Sequence, residues 1–259
     1  MELAFERRGT GAPLILVHGI GHHWQAWLPV IDRLAASRDV IAVDLPGFGR
    51  SPGLPEGTPY TAESLADAVE EFCERLGVRE PHVAGNSLGG YIALELASRG
   101  AVRSATVLSP AGFWSRAELL WCQAVLRGLR ASAMALPPEQ AARSARSPLG
   151  RALSAGLLVA RPGRLDPAAL MASAEALVGS AGFDETLASF SGLMPPAPPK
   201  VPITIAWGEH DRLLPCRQAV RAAKWSGQRV KLLKGCGHVP MSDDPDLVAE
   251  LVLAATARP

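Results

Sequence analysis

Three observations predict an α/β fold, with a mostly parallel central sheet flanked by helices and a helical insertion before the last strands. Short β-rich apolar runs alternate with helix-periodic segments, the alternation breaks for about ninety residues, and a glycine-flanked serine follows the third run directly. Parallel strands need crossover connections of a dozen residues or more, which helices supply, so the alternation itself argues for a parallel sheet.

The strand candidates of the first half are 14–17, 40–43, 82–84 and 105–108, and the helix candidates between them are 24–36, 62–76 and 88–98. The next apolar strand run is 201–207, far beyond what a crossover requires. The intervening sequence has no strand alternation, but Ser147 before Pro148 and Asp166 before Pro167 each place a capping residue ahead of a proline at the first helical position. A cap of about four helices is expected here. Pro195, Pro196, Pro198 and Pro199 then make a stiff connector back to the sheet. Alternation resumes with a helix at 215–225, a strand at 229–233 and a helix at 245–255. The expected division is 1–110 with 200–259 as the core and 111–199 as the cap.

Composition narrows the function. A chain of 259 residues buries roughly 75% of the surface it exposes when unfolded, enough for a core without disulfides or metals. Lys plus Arg is 26 against 25 for Asp plus Glu, a balance that excludes the global basic field nucleic acid demands. The balance hides an asymmetry: 116–164 holds eight Arg and two acids, Glu118 and Glu139. Cys73, Cys122, Cys216 and Cys236 lack metal-binding spacing and read as reduced thiols. No apolar run is long enough to span a membrane, and residues 1–10 lack a signal sequence's apolar stretch, so a cytoplasmic enzyme is expected.

Gly85-Asn86-Ser87-Leu88-Gly89 has the form G-x-S-x-G between a strand candidate and a helix candidate. A serine thrown out of so sharp a turn crowds the residues two before and two after it, and both are glycine. Such a serine needs a base. Of the six histidines, His238 sits in a glycine-rich loop after the strand 229–233, at the carboxyl edge where open α/β sheets bind ligands. Asp211, in the loop after 201–207, is the matching orienting acid.

With these residues placed, the chain resembles a capped, esterase- or lipase-like α/β-hydrolase-fold serine hydrolase over essentially its whole length. The order Ser87, Asp211, His238 matches that family's order. His18-Gly19-Ile20-Gly21 resembles its oxyanion segment. Asp44 to Ser51 resembles the loop after its next strand, and Gly237-His238-Val239-Pro240 with Asp243-Asp244-Pro245 its C-terminal histidine segment. The resemblance implies cofactor-independent ester, thioester or lactone cleavage through an acyl-enzyme, with oxyanion donors on the backbone N–H groups of Ile20 and Leu88. It also admits C–C bond hydrolysis, although Val239 stands where that subgroup usually carries an aromatic, and acyl transfer or cyclisation, or a receptor without turnover. Ser87 argues against relatives that use an aspartate nucleophile.

For the substrate, His22, Trp24, Trp27, Asn86, Phe113, Trp114, Trp121 and Val239 are the pocket candidates, although core packing accounts equally well for most of the aromatics. His22 and His23 are expected in an exposed loop. A small apolar acyl compound, anionic or carrier-linked if the basic stretch faces it, is the expected partner of a monomer or homodimer.

Overall fold

The computed structural model describes residues 1–257. In chain order it contains β1 (Phe5–Arg8), β2 (Ala12–Val17), α1 (Leu28–Ala35), β3 (Arg38–Val43), α2 (Ala62–Arg75), β4 (His82–Asn86), α3 (Leu88–Arg99) and β5 (Ser104–Leu108). Five helices follow: α4 (Arg116–Ala135), α5 (Pro138–Arg146), α6 (Pro148–Ala155), α7 (Pro167–Gly179) and α8 (Phe183–Ser189). The chain closes with β6 (Ile203–Gly208), α9 (Gln218–Ser226), β7 (Lys231–Leu233), α10 (Pro240–Asp243) and α11 (Pro245–Thr256).

The seven strands form one sheet in the order β1-β3-β2-β4-β5-β6-β7, parallel except for β1. Strand β1 was not foreseen. Phe-Glu-Arg-Arg has no apolar alternation, and it becomes a strand only because it pairs antiparallel with β3, Phe5 opposite Val43. Alternate residues serve opposite faces of the sheet. Ile15 and Val17 join Leu65, Val69 and Phe72 of α2 and Ile92 of α3 in one core. Leu14 and Leu16 join Val30, Ile31 and Leu34 of α1 and Val248 and Val252 of α11 in the other.

The chain leaves β2 for β3 on one side and then crosses to β4 on the other, so β2 and β4 are neighbours separated in sequence by a whole strand. Loops leaving their carboxyl ends therefore part in opposite directions and open a crevice. His18 follows β2 there, and Ser87 follows β4.

The insertion has five α-helices rather than four. Its two foreseen starts form as the sequence predicts, with Ser147 accepting from the Gly150 N–H and Asp166 from the Ala168 N–H. A third start, at Ser115, is a capping box with Glu118, whose carboxylate accepts from the Ser115 N–H at 2.6 Å. Glu118 also receives Arg217 Nε at 2.6 Å and the Arg221 guanidinium, which clamps the first helix of the insertion to α9. Burial works against its charge, but the Ser115 N–H and the two guanidinium groups more than compensate and hold the carboxyl below its usual range. Glu118→Ala is expected to lower stability by about 2 kcal/mol, read as a lower urea midpoint, because both arginines and the Ser115 N–H lose their acceptor while the Ser115 side chain still caps α4.

No helix of the described residues is long and apolar enough to cross a membrane. Cys73, Cys122 and Cys236 are buried free thiols, and burial pushes each up to about 12, so they pack as small apolar groups.

Candidate active site

Ser87 has φ 58° and ψ −117°, a conformation that a residue with a Cβ rarely adopts. The neighbouring backbone imposes it. The Ser87 N–H donates to the Leu108 carbonyl at 3.0 Å while its own carbonyl accepts from the Ala111 and Tyr91 N–H groups, each at 3.0 Å. A Cβ on Gly85 would run into the Gly89 carbonyl, and one on Gly89 into the carbonyls of Val17 and His18. Only glycine allows β4, α3 and the end of β2 to approach this closely.

Asp211 and His238 meet from different loops. His238 Nδ1 lies 2.8 Å from Asp211 Oδ2, and both side chains are buried. An ionised carboxylate only accepts, so Nδ1 carries the proton and Nε2 is left as the acceptor, the tautomer a base requires. Asp211 Oδ1 accepts from the N–H groups of Leu213 at 3.0 Å and Leu214 at 2.7 Å, which fixes the carboxylate plane. Asn86 ties this pair to the serine turn: its Nδ2 donates to the His238 carbonyl at 2.9 Å and to the Leu108 carbonyl at 3.0 Å.

The loop after β2 leans on the serine from the other side. A Cβ on Gly19 would stand 3.2 Å from Ser87 Cβ. His18 holds this loop: its Nε2 accepts from the Leu45 N–H at 3.0 Å, so Nδ1 is the protonated nitrogen and donates to the Gly19 carbonyl at 2.7 Å. Asp44 braces the next segment by accepting from the Trp24 N–H at 2.6 Å and the Arg50 N–H at 2.9 Å. The Ile20 and Leu88 N–H groups find no hydrogen-bond acceptor among the described residues, which leaves both as free donors flanking Ser87.

A cavity of about 360 Å³ opens from this corner under the inserted helices. Ile20, Gly21 and His22 form one end of it, and Leu126, Leu129, Leu158, Leu170, Met171 and Leu177 much of its wall. Ser87 and His238 are not themselves among the lining. The wall reaches them through their neighbours: Ile20 beside Gly19, and Leu158, whose carbonyl accepts from the Val239 N–H at 2.9 Å. Among the described residues no Arg, Lys, Asp or Glu lines the cavity.

Several pocket candidates lie elsewhere. Trp24 and Trp27 are buried in the core between the sheet, α1 and α11, because the 3-10 turn Trp24–Trp27 rolls both rings inward. Phe113 packs edge-on against Trp207 and Trp225, and Trp114 stacks on Phe190. Trp121 is on the surface, its indole N–H donating to the Arg212 carbonyl at 2.9 Å. Asn86 and Val239 act as braces, and His22 alone of the side chains proposed for the pocket lines the cavity.

His22 and His23 are not exposed either: one is half-buried and the other buried. Burial and the neighbouring imidazoles of His23 and His18 push His22 down to about 3, and burial pushes His18 down to about 4. The unfolded chain therefore binds protons near pH 6.5 that the folded chain refuses, so stability falls as pH drops through the window from 6.5 to about 4 for His18 and about 3 for His22. The urea midpoint is expected to decline between about pH 6.5 and 5, above the range in which carboxylates titrate. His22→Phe should flatten the decline, and an equally steep slope in the variant would contradict it.

One brace carried no signal of its role in the sequence. Asp243 is buried, and its carboxylate accepts from the N–H groups of Gly237 at 2.8 Å, Ala160 at 2.9 Å and Arg161 at 2.8 Å. It pins the histidine loop to the segment between α6 and α7.

Comparison with known proteins then decides the family. Residues 12–245 match the sequence profile of the alpha/beta hydrolase fold. The chain belongs to the α/β-hydrolase-fold family. Among this hydrolase's relatives is epoxide hydrolase EphH of Mycobacterium tuberculosis, 31% identical over 73% of this chain and 91% of that one. Another is a pimeloyl-[acyl-carrier protein] methyl ester esterase of Aeromonas salmonicida, 40% identical over 38% of this chain and 36% of that one. Among solved structures, a membrane phospholipase A described as a bacterial virulence factor superposes with a TM-score of 0.78 at 27% identity, covering 98% of this chain and 82% of that one. An esterase of Thermogutta terrifontis superposes with a TM-score of 0.76 at 22% identity over 98% and 93% of the two chains, a likeness of fold alone.

Proposed function

We propose that this α/β hydrolase cleaves carboxylic esters of an apolar acyl group, with Ser87 as nucleophile, His238 as general base and then acid, and Asp211 holding the imidazole. The 2.8 Å Asp211–His238 pair, set in the same crevice as the strained serine, carries the reading. In the proposed cycle His238 Nε2 takes the Ser87 proton as Oγ attacks the carbonyl carbon. The oxyanion is met by the free Ile20 and Leu88 N–H groups, and the proton passes to the departing alcohol. Water then repeats the sequence on the acyl-enzyme and frees the acid.

The choice of ester over epoxide, despite the epoxide hydrolase relative, follows from the chemistry of position 87. Opening an epoxide with a carboxylate leaves an alkyl ester that water can cleave, whereas opening it with serine would leave an ether, a dead end. The uncharged cavity favours a plain acyl chain and leaves any anionic or carrier-linked portion outside it. The arginine-rich stretch therefore does not serve as the acyl pocket's recognition surface.

A fluorophosphonate should add one covalent label, at Ser87. A series of p-nitrophenyl esters should give a kcat/KM maximum at medium chain length, with a sharp loss when the chain ends in a carboxylate. An unlabelled serine with normal ester turnover would overturn the nucleophile, and a preference for the terminal carboxylate would overturn the substrate class.

A further inference from the structure

The arginines left unused by the pocket share a surface with large apolar side chains that the core does not bury. Leu149 and Leu153 of α6 are 69% and 77% exposed, and their four-residue spacing places them on one face of the helix. Met134, in the last turn of α4, is 62% exposed, and Leu136 just beyond it 38%. Leu136 and Leu153 also line the cavity, so its mouth lies between these exposed groups.

Unpaired positive charge lies on the same helix or on its packed neighbour. Arg127 lies two turns before Met134 on α4, and Arg143 and Arg146 lie one turn apart on α5, which packs against α6. All three are exposed and form no ion pair among the described residues. From 128 to 165 the only acid is Glu139. The other two arginines of α4 to α6 inside that stretch are spent structurally, Arg130 on Asp184 and Arg151 on the carbonyls of Ala145, Arg146 and Gly163.

We infer that this face docks on an anionic lipid surface, with Met134, Leu136, Leu149 and Leu153 entering the headgroup boundary and Arg127, Arg143 and Arg146 meeting lipid phosphates. Exposed aliphatic side chains beside unpaired arginines suit an interface that is apolar below and anionic at its level. An acidic protein would need the charges but not the protruding leucines. The position of the cavity mouth adds a reason for lipid: an apolar chain partitioned in the membrane could enter between Leu136 and Leu153 without crossing water. The docking itself is independent of the chemistry at Ser87, and the test reads binding alone.

Full-length protein is sedimented with vesicles of phosphatidylcholine and with vesicles containing equal phosphatidylcholine and phosphatidylglycerol, at low and high salt. Binding should be about tenfold or more tighter to the anionic vesicles and weaken with salt. Met134→Ser with Leu149→Ser, and separately Arg143→Glu with Arg146→Glu, should each weaken it about tenfold. All four residues are exposed, and an unchanged circular dichroism spectrum verifies the fold. Absent or charge-indifferent vesicle binding overturns the inference. So does binding lost only in the arginine variant, which would make the face a purely electrostatic patch for an acidic protein. A dimer in solution that the Met134 and Leu149 substitutions dissociate, without vesicle binding, would instead make it a contact between copies.

Discussion

Ser87→Ala is expected to lower kcat for an ester substrate by about 10⁴-fold or more while leaving KM within a small factor of its starting value. The substitution removes the oxygen proposed to attack and little else. The serine side chain makes no hydrogen bond that holds β4, α3 or the neighbouring loops, all of which are fixed by the backbone bonds of residue 87 and by Gly85 and Gly89. Alanine relieves none of the crowding at φ 58°, so the turn keeps its strain and its position. What remains is the uncharged cavity and the two free N–H donors, which on the proposed reading still bind and polarise the ester without a nucleophile. Burst kinetics and intact-mass detection of the acyl-enzyme check it: the acyl adduct should vanish with the turnover. An adduct that persists on another residue would show that the chemistry runs elsewhere.

Asp211→Asn should cost about 10⁴-fold in kcat, nearly as much, although the side chain is almost isosteric. The reason lies in the second carboxylate oxygen. Oδ1 accepts from the Leu213 and Leu214 N–H groups, so an asparagine will keep its carbonyl oxygen there and turn its NH₂ toward His238. Nδ1 then has to accept and Nε2 carries the proton, which removes the acceptor that the proposed base needs. The fold should persist, because the two backbone bonds survive. The NMR resonances of His238 should report the exchanged tautomer, and a variant with the wild-type tautomer and rate would refute the assigned role of Asp211.

Much of this site was legible in the chain because its chemistry is local. The serine turn is a five-residue steric problem whose solution, glycine on either side, is written contiguously, and its place after an apolar run and before a helix follows from periodicity. The positions of Asp211 and His238 could be read because loops at the carboxyl ends of parallel strands must converge. The helix starts at Ser147 and Asp166 were readable for the same reason, since capping is a contact over two or three residues.

What the sequence did not reveal of the site is mainly contacts between distant segments. Whether Trp24 and Trp27 faced a pocket or the core depended on how a 3-10 turn sits against α11, more than two hundred residues away. Strand β1 exists through its partner β3, and Asp243 acquires its role by meeting N–H groups of Ala160 and Arg161 across the fold. The burial of His22 and His23 was hidden too, because burial is a property of what covers a residue. The charge asymmetry was countable from the outset, but its direction was not: no arginine lines the uncharged cavity, and Arg127, Arg143 and Arg146 are exposed.

The sequence by itself thus determined the α/β architecture, the glycine-bounded serine turn and the candidate acid and base, since each follows from local sterics, periodicity or chain order. Only the tertiary structure decided the tautomer of His238, the apolar character of the cavity and the outward face of the basic helices, because each depends on which surfaces are brought together and which are left to solvent.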